Sequence, residues 1–106
     1  MAPDTLSLAG KVAIVTGSGR EDGIGAGIAT AFARNGAGVV LNFVSDSTVT
    51  RAEAVADKLR EQYGVTVATV QADITSPEGA TRLAEETLKA FETKHIDILG
   101  ASYDYY

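Results

Sequence analysis

Cysteine is absent from this 106-residue chain, and no run of apolar residues is long enough to span a bilayer. Without cysteine, the chain can form neither a disulfide framework nor a thiolate metal site. A membrane-spanning helix needs about 18 consecutive apolar residues, which no segment approaches. Basic residues are also few, and the net charge is −5. This charge disfavours a nucleic-acid or anionic-membrane partner, because both require a basic face.

The N-terminal segment has no basic stretch followed by a long apolar run, so it does not have the pattern of a secretory signal. The length suits one small domain. The single histidine, His95, is best interpreted as a surface or helix-end residue rather than as a ligand. We therefore expect one cytoplasmic domain without a metal site.

Apolar, β-branched runs alternate with helical patterns along the chain. Residues 11–16, 37–43 and 65–73 have the composition of buried strands, and residues 96–99 begin a fourth. Apolar residues at helical spacing follow each of the first three runs. The order β-α-β-α-β-α-β with short connections predicts an α/β fold with a parallel sheet and right-handed crossovers.

Capping signals divide the predicted helices from the connections before them. The stretch from Thr50 to Glu53 fits a capping box for the second helix. Ser76 is the predicted N-cap of the third helix, and Pro77 takes its first position. The predicted core comprises Ile14, Val15, Ile28, Phe32, Val40, Leu41, Val70, Leu83 and Leu88.

Four glycines fall within residues 16–25, between the first strand and the first helix. The first N–H groups of a helix have no intrahelical partners, and the helix dipole adds partial positive charge there. Glycines allow a phosphate to approach such a helix start closely. These glycines alone could simply form a tight turn. Their place at the start of a βαβ series favours dinucleotide binding, and the lack of a following Gly-Lys-Ser/Thr excludes a P-loop.

The residues of this loop and its surroundings resemble the N-terminal half of the short-chain dehydrogenase/reductase family. The family fingerprint is Thr-Gly-x-x-x-Gly-x-Gly; Thr16-Gly17 and Gly23-Ile24-Gly25 match its two ends, with Glu21-Asp22 as a two-residue insertion. Residues 8–43, 71–75 and 96–99 carry the resemblance. It implies a Rossmann-type parallel sheet, incomplete at about four strands and three helices. It also implies descent from oxidoreductases that move a hydride between a nicotinamide and a carbonyl or alcohol.

The resemblance also implies a cofactor site. The positions that would line the pyrophosphate and adjoining ribose are Gly17, Ser18, Gly19, Gly23, Ile24 and Gly25. If the two carboxylates of the Glu21-Asp22 insertion point inward, they would repel the cofactor. If they point to solvent, they would matter little. The acidic residue of NAD-dependent members falls at the end of the second strand, where this chain has Asn42 and Phe43. Arg20 stands where NADP-preferring members often carry a basic residue. A missing anion and an added cation both favour NADP over NAD.

Four further positions complete the predicted cofactor site. Ser45 would either touch the 2′-phosphate or cap the second helix. Asp73 and Ile74 match the pair that brackets the adenine ring in the family. The alternative for Asp73 is a turn residue at the end of a strand. Phe43 belongs to the same predicted set of cofactor contacts.

The family's catalytic segments are not found in this sequence. The Asn-Asn-Ala-Gly segment, the catalytic serine and the Tyr-x-x-x-Lys pair are all absent, and no lysine follows Tyr103, Tyr105 or Tyr106. We therefore expect a partial dinucleotide-binding domain over residues 1–99, a non-homologous tail over 100–106, no catalytic residue and no family oligomer interface. The alternatives to an oxidoreductase are a non-catalytic dinucleotide-binding module and an inert truncated product of marginal stability.

Overall fold

The chain folds into strands and helices that alternate strictly. The computed structural model describes residues 8–16, 24–44, 49–91 and 96–101. The elements are β1 (Val12–Thr16), α1 (Ile24–Arg34), β2 (Gly38–Phe43), α2 (Val49–Tyr63), β3 (Val67–Gln71), α3 (Pro77–Ala90) and β4 (Ile98–Ala101). This order confirms the predicted β-α-β-α-β-α-β pattern.

The four strands form one parallel sheet in the order β3-β2-β1-β4. Val12 of β1 pairs with Gly38 of β2, and Ala13 pairs with Ile98 of β4 on the other side. The chain therefore places β2 and then β3 on one side of β1, and β4 pairs with the other side of β1. This is the open Rossmann-type arrangement, and among the described strands β3 and β4 form the two edges of the sheet.

Alternating side chains of the strands build one hydrophobic core on each face of the sheet. Val15 and Leu41 face α1 and α2, whereas Ile14 and Val40 face α3. Strands covered on both faces are apolar at nearly every position, which explains the continuous apolar runs in the sequence. Two helices cover one face of the sheet and one helix covers the other. Because all the strands are parallel, their carboxyl ends lie together at one edge.

Most of the predicted core is buried in the structure. The buried members are Ile14, Val15, Val40, Leu41, Val70 and Leu83. Ile28 and Phe32 are only partly buried against their cluster. Helix α1 reaches the sheet mainly through Ala29 and Ala33, because these small side chains allow a close approach. Leu88 is also half-buried.

Two local predictions differ from the structure. Strand β4 begins at Ile98, not at Ile96, because Asp97 is used to anchor the strand: its carboxylate accepts a 2.9 Å hydrogen bond from the Val12 N–H. The capping box is wrong. Helix α2 already begins at Val49, and the Glu53 carboxylate accepts a 2.7 Å bond from the Thr69 hydroxyl of the neighbouring strand.

Candidate cofactor site at the carboxyl edge of the sheet

The carboxyl ends of the parallel strands meet at one edge, where β2 and β4 flank β1 on opposite sides. Ligands of open α/β sheets bind in the crevice at such a point of reversed strand order. The connection from β1 to α1 leaves from this edge. Five predicted contacts in it lie outside the described residues, as does Ser45: Gly17, Ser18, Gly19, Arg20 and Gly23. Ile24 and Gly25 form the first residues of α1.

Residues 42–44, the described end of β2, present no carboxylate to this edge. Asn42 is only 1% exposed, and its amide donates 3.1 Å hydrogen bonds to the carbonyl oxygens of Val70 and Ala72. The side chain thus ties the ends of β2 and β3 together. Phe43 is 6% exposed and belongs to the core. The structure therefore places this predicted cofactor contact largely inside the protein, with little surface left for a ligand.

The end of β3 carries an exposed carboxylate held in a defined turn. One oxygen of Asp73, Oδ1, accepts a 2.9 Å bond from the Thr75 N–H and a 2.6 Å bond from the Thr75 hydroxyl. The bond from the Thr75 hydroxyl has the larger effect and the bond from the Thr75 N–H the smaller, and together they hold the pKa of the Asp73 carboxyl below its ordinary value. Asp73 thus closes a turn through Oδ1, and Oδ2 has no bonded donor among the residues that the structure describes.

The backbone of this turn is fixed to the start of α3. The Asp73 carbonyl accepts a 3.1 Å bond from the Ser76 hydroxyl, which in turn accepts a 3.0 Å bond from the Gly79 N–H. Ser76 is thus the N-cap that the sequence predicts. A side chain at Gly79 would overlap the Asp73 carbonyl oxygen, so this position requires glycine. The first turn of α3 consequently sets the place of Asp73.

Ile74 lies next to this carboxylate and is 41% exposed, unusual for a large apolar side chain. It lines an apolar cavity of about 340 Å³ between α3 and the sheet. The cavity is lined by Ile14, Thr16, Ile74, Ala80, Leu83, Ala84 and Ile96. An exposed apolar surface beside a charged acceptor can receive a planar ring that carries a hydrogen-bond donor at its rim.

A larger and more polar cavity, of about 480 Å³, lies at the opposite edge of the sheet. Lys11, Gly38, Val65 and Phe91 are among the residues that line it. It lies at the amino ends of the strands, away from the β1–α1 connection, so its greater size does not make it the cofactor site.

In the described part of the chain, no group of three or more His, Asp or Glu residues is placed to hold a metal ion. No helix described by the structure is both long and apolar enough to cross a membrane.

The roles of Asn42 and Thr75 were not predicted from the sequence, although the sequence contains a feature that indicates each of them. Asn42 is a polar residue inside an otherwise apolar strand, where a buried amide must find partners. Thr75 follows Asp73 at the two-residue spacing of a side-chain-to-backbone turn.

A known protein family matches most of this chain. Residues 11–102 match the sequence pattern of the short chain dehydrogenase family. The hydroxynaphthalene reductase-like protein Arp2 of Metarhizium guizhouense is 45% identical over 93 residues, which cover 88% of this chain and 32% of that protein. The chain thus spans about a third of the length of the curated relatives it matches.

Solved structures of similar proteins have the same fold over most of this chain. The L-sorbose reductase of Gluconobacter frateurii, solved with NADPH and L-sorbose, aligns with a TM-score of 0.76 at 39% identity, covering 88% of this chain and 33% of that one. A blue fluorescent protein from a metagenomic library, solved with NADPH, aligns with a TM-score of 0.78 at 33% identity, covering 89% and 36%. The parallel sheet, its topology and the family match over residues 11–102 together show that this chain belongs to the short-chain dehydrogenase family.

Proposed function

We propose that this chain binds NADP(H) at the carboxyl edge of its sheet, as the cofactor-binding portion of a reductase of this family. The observation that carries the proposal is the pairing of Asp73 with Ile74 at the end of β3. Asp73 offers an open carboxylate oxygen, and Ile74 offers an exposed apolar surface beside it. The adenine ring would rest on Ile74 and donate its amino hydrogen to Asp73.

The pyrophosphate in this proposal sits over the start of α1, within the glycine-rich connection. Gly17, Ser18, Gly19, Gly23, Ile24 and Gly25 would surround it. Unpaired N–H groups and the dipole of α1 favour a negative charge at that position. The role of these residues rests on their sequence and on the position of the connection between β1 and α1.

The choice of NADP over NAD has three supports. Asn42 is a neutral amide bonded to β3, and Phe43 is buried, so the described end of β2, residues 42–44, offers no carboxylate to a ribose hydroxyl. Arg20 in the connection supplies a cation for the 2′-phosphate, and Ser45 supplies a hydroxyl. Two structurally similar proteins, the L-sorbose reductase and the blue fluorescent protein, were solved with NADPH.

The nicotinamide, when bound, supplies hydride transfer to a carbonyl or from an alcohol. The part of this chain would be binding and orientation: the glycine loop fixes the phosphates, and Asp73 and Ile74 fix the purine. We assign no catalytic residue to the chain, and we place the end of the dinucleotide-binding region at residue 99, with 100–106 as a non-homologous tail. A non-catalytic dinucleotide-binding module in the cytoplasm is the second candidate, and an inert product is the third.

Thermal unfolding with added cofactor tests the proposal directly. A ligand at about 100 times its Kd stabilises the folded state by about 2.7 kcal/mol. For a domain of this size, this corresponds to a rise in Tm of about 10–20 °C. We expect NADPH to raise the Tm more than NADH does at the same concentration. No rise with either cofactor would refute dinucleotide binding, and an equal rise would refute the preference for NADP.

A charge variant tests the assignment of the 2′-phosphate. Arg20→Gln should weaken NADPH binding by about tenfold or more, because a hydrogen bond to a charged group is lost, while NADH binding stays unchanged. Arg34→Gln is the matched control, since Arg34 is an exposed arginine in the last turn of α1, at the far end of that helix. If both variants reduce NADPH affinity equally, the effect is one of net charge, and Arg20 does not contact the phosphate.

A further inference from the structure

The turn after β3 suggests how the site would distinguish one purine from another. Asp73 is exposed, and an exposed carboxylate normally samples several rotamers. Here the side chain is held by two hydrogen bonds from one residue, Thr75, at 2.9 Å and 2.6 Å. Both bonds go to Oδ1, so they fix the direction in which Oδ2 points.

The backbone on either side of this carboxylate is equally constrained. Ser76 donates to the Asp73 carbonyl through both its N–H, at 3.3 Å, and its hydroxyl, at 3.1 Å. Gly79 donates to that same hydroxyl, and its lack of a side chain admits the Asp73 carbonyl. The Asp73 backbone is therefore anchored to α3, and Thr75 supplies the remaining restraint on the side chain.

We propose that Thr75 is a positioning residue that makes this site selective for 6-aminopurine dinucleotides over 6-oxopurine dinucleotides. The inference rests on the proposed binding of the adenine ring between Asp73 and Ile74. A 6-aminopurine has its hydrogen-bond donor at the exocyclic position. A 6-oxopurine has an acceptor there and carries its donor on the adjacent ring nitrogen, N1.

The discrimination follows from whether the carboxylate can move. A mobile carboxylate can shift to the N1–H of a 6-oxopurine and regain its hydrogen bond. A carboxylate held by Thr75 stays at the exocyclic position and meets the 6-oxo oxygen, so two acceptors face each other. Leaving a charged acceptor unpaired against another acceptor is costly, because the bond it replaces is a strong, charge-assisted one.

The direct test compares two ligands on one protein. NADPH and its 6-oxo analogue, nicotinamide hypoxanthine dinucleotide phosphate (reduced form), differ only at the purine. We expect the 106-residue chain to bind NADPH more tightly by about tenfold or more. Thr75→Val, which removes the hydroxyl and keeps the shape, should reduce this ratio to below about threefold, mainly by improving binding of the 6-oxo analogue.

Two variants serve as controls. Thr75→Ser retains both the hydroxyl and the N–H, so it should preserve the ratio. Thr81→Val removes a hydroxyl from an exposed threonine of α3 and should also preserve it. An NMR titration of Asp73 without ligand gives an independent readout: Thr75→Val should raise the pKa of the carboxyl toward its ordinary value, and Thr75→Ser should not.

The outcomes separate this inference from the proposed function. If Thr75→Val keeps the full preference for NADPH, or weakens both dinucleotides equally, Thr75 does not position Asp73 for purine recognition. If the wild-type chain binds both dinucleotides with equal affinity, the inference fails while dinucleotide binding stands. If the wild-type chain binds neither dinucleotide, the proposed function fails and this inference fails with it.

Discussion

Replacing Asn42 by aspartate is the sharpest test of how the carboxyl edge is built. The substitution exchanges one NH₂ group for an oxygen and leaves the side chain almost unchanged in size. By sequence alone it would install an acidic residue at the end of β2, where NAD-dependent relatives carry one. In the structure, however, the Asn42 side chain is 1% exposed and faces the carbonyl oxygens of Val70 and Ala72.

The expected penalty can be worked out from these contacts. Two hydrogen bonds of 3.1 Å are lost, each worth about 1 kcal/mol. The new carboxylate would lie buried facing two carbonyl oxygens, and a poorly satisfied buried charge costs about 3–5 kcal/mol, a figure that includes the lost bonds. Asn42→Asp should therefore reduce the free energy of unfolding by about 3–5 kcal/mol at pH 7.

The penalty should depend on pH in a definite direction. Burial and the facing carbonyls raise the pKa of the introduced carboxyl in the folded state above its unfolded value. The folded state thus binds the proton more tightly, and the variant regains stability as the pH falls, by about 1.4 kcal/mol per unit between the two pKa values. A protonated carboxyl can also restore one hydrogen bond to a carbonyl.

Urea unfolding at pH 7 and pH 5 measures this effect. The matched control is Asn35→Asp, because the Asn35 amide donates a 2.7 Å bond to the Ala31 carbonyl at the protein surface. Its cost should be about 1 kcal/mol or less and nearly independent of pH in this range. A loss below about 1 kcal/mol for Asn42→Asp, or a loss that does not shrink at pH 5, would refute the proposed burial and bonding of Asn42.

Three further predictions concern the core and the turn after β3. Leu59→Ala should lower the free energy of unfolding, measured in urea, by about 2–5 kcal/mol, because the Leu59 side chain is fully buried. Leu88→Ala should lower it clearly less, because Leu88 is only half-buried. Equal losses for the two variants would contradict the packing. Gly79→Ala should destabilise the protein by about 1–3 kcal/mol, because the new side chain would overlap a carbonyl oxygen. Gly27→Ala should stabilise it by up to about 1 kcal/mol, because Gly27 has open space around it in α1. Thermal unfolding of both variants checks the sign of each effect. The lowered pKa of Asp73 means that its stabilising effect is present above the unfolded-state pKa and is lost as the pH falls through the folded-state value. Acid unfolding of wild type and Asp73→Asn should therefore converge at low pH, and a difference that persists there would contradict this origin.

Much of the fold could be predicted because it depends on patterns that are local in the sequence. The apolar runs predicted β1, β2 and β3, and the spacing of small and apolar residues predicted the helices between them. Ser76 with Pro77 predicted the start of α3 correctly, since a helix cap involves only neighbouring residues. The capping box at Thr50 was wrong because Glu53 bonds instead to Thr69, sixteen residues away in the sequence.

The candidate site could be predicted only in part. Asp73 and Ile74 were identified from the family resemblance, and the structure places both at the carboxyl edge of the sheet. Phe43 was predicted to contact the cofactor, and its side chain is largely buried, as are those of the preceding residues Leu41 and Asn42. The strand alternation that decides which way a side chain faces is clear only once the neighbouring elements are in place.

The sequence by itself determined the element order, the parallel sheet, the glycine-rich connection and the family, because each depends on short-range patterns or on residue identity. Only the tertiary structure decided that Asn42 joins the ends of β2 and β3 instead of facing a ligand. This role depends on the register of β2 against β3, which brings Asn42 to the carbonyl oxygens of residues 28 and 30 positions away in the sequence. The packing of the sheet sets that meeting, and no local pattern encodes it. Thr75 and Gly79 lie close to Asp73 in the sequence, and the structure adds how they fix its carboxylate and its carbonyl.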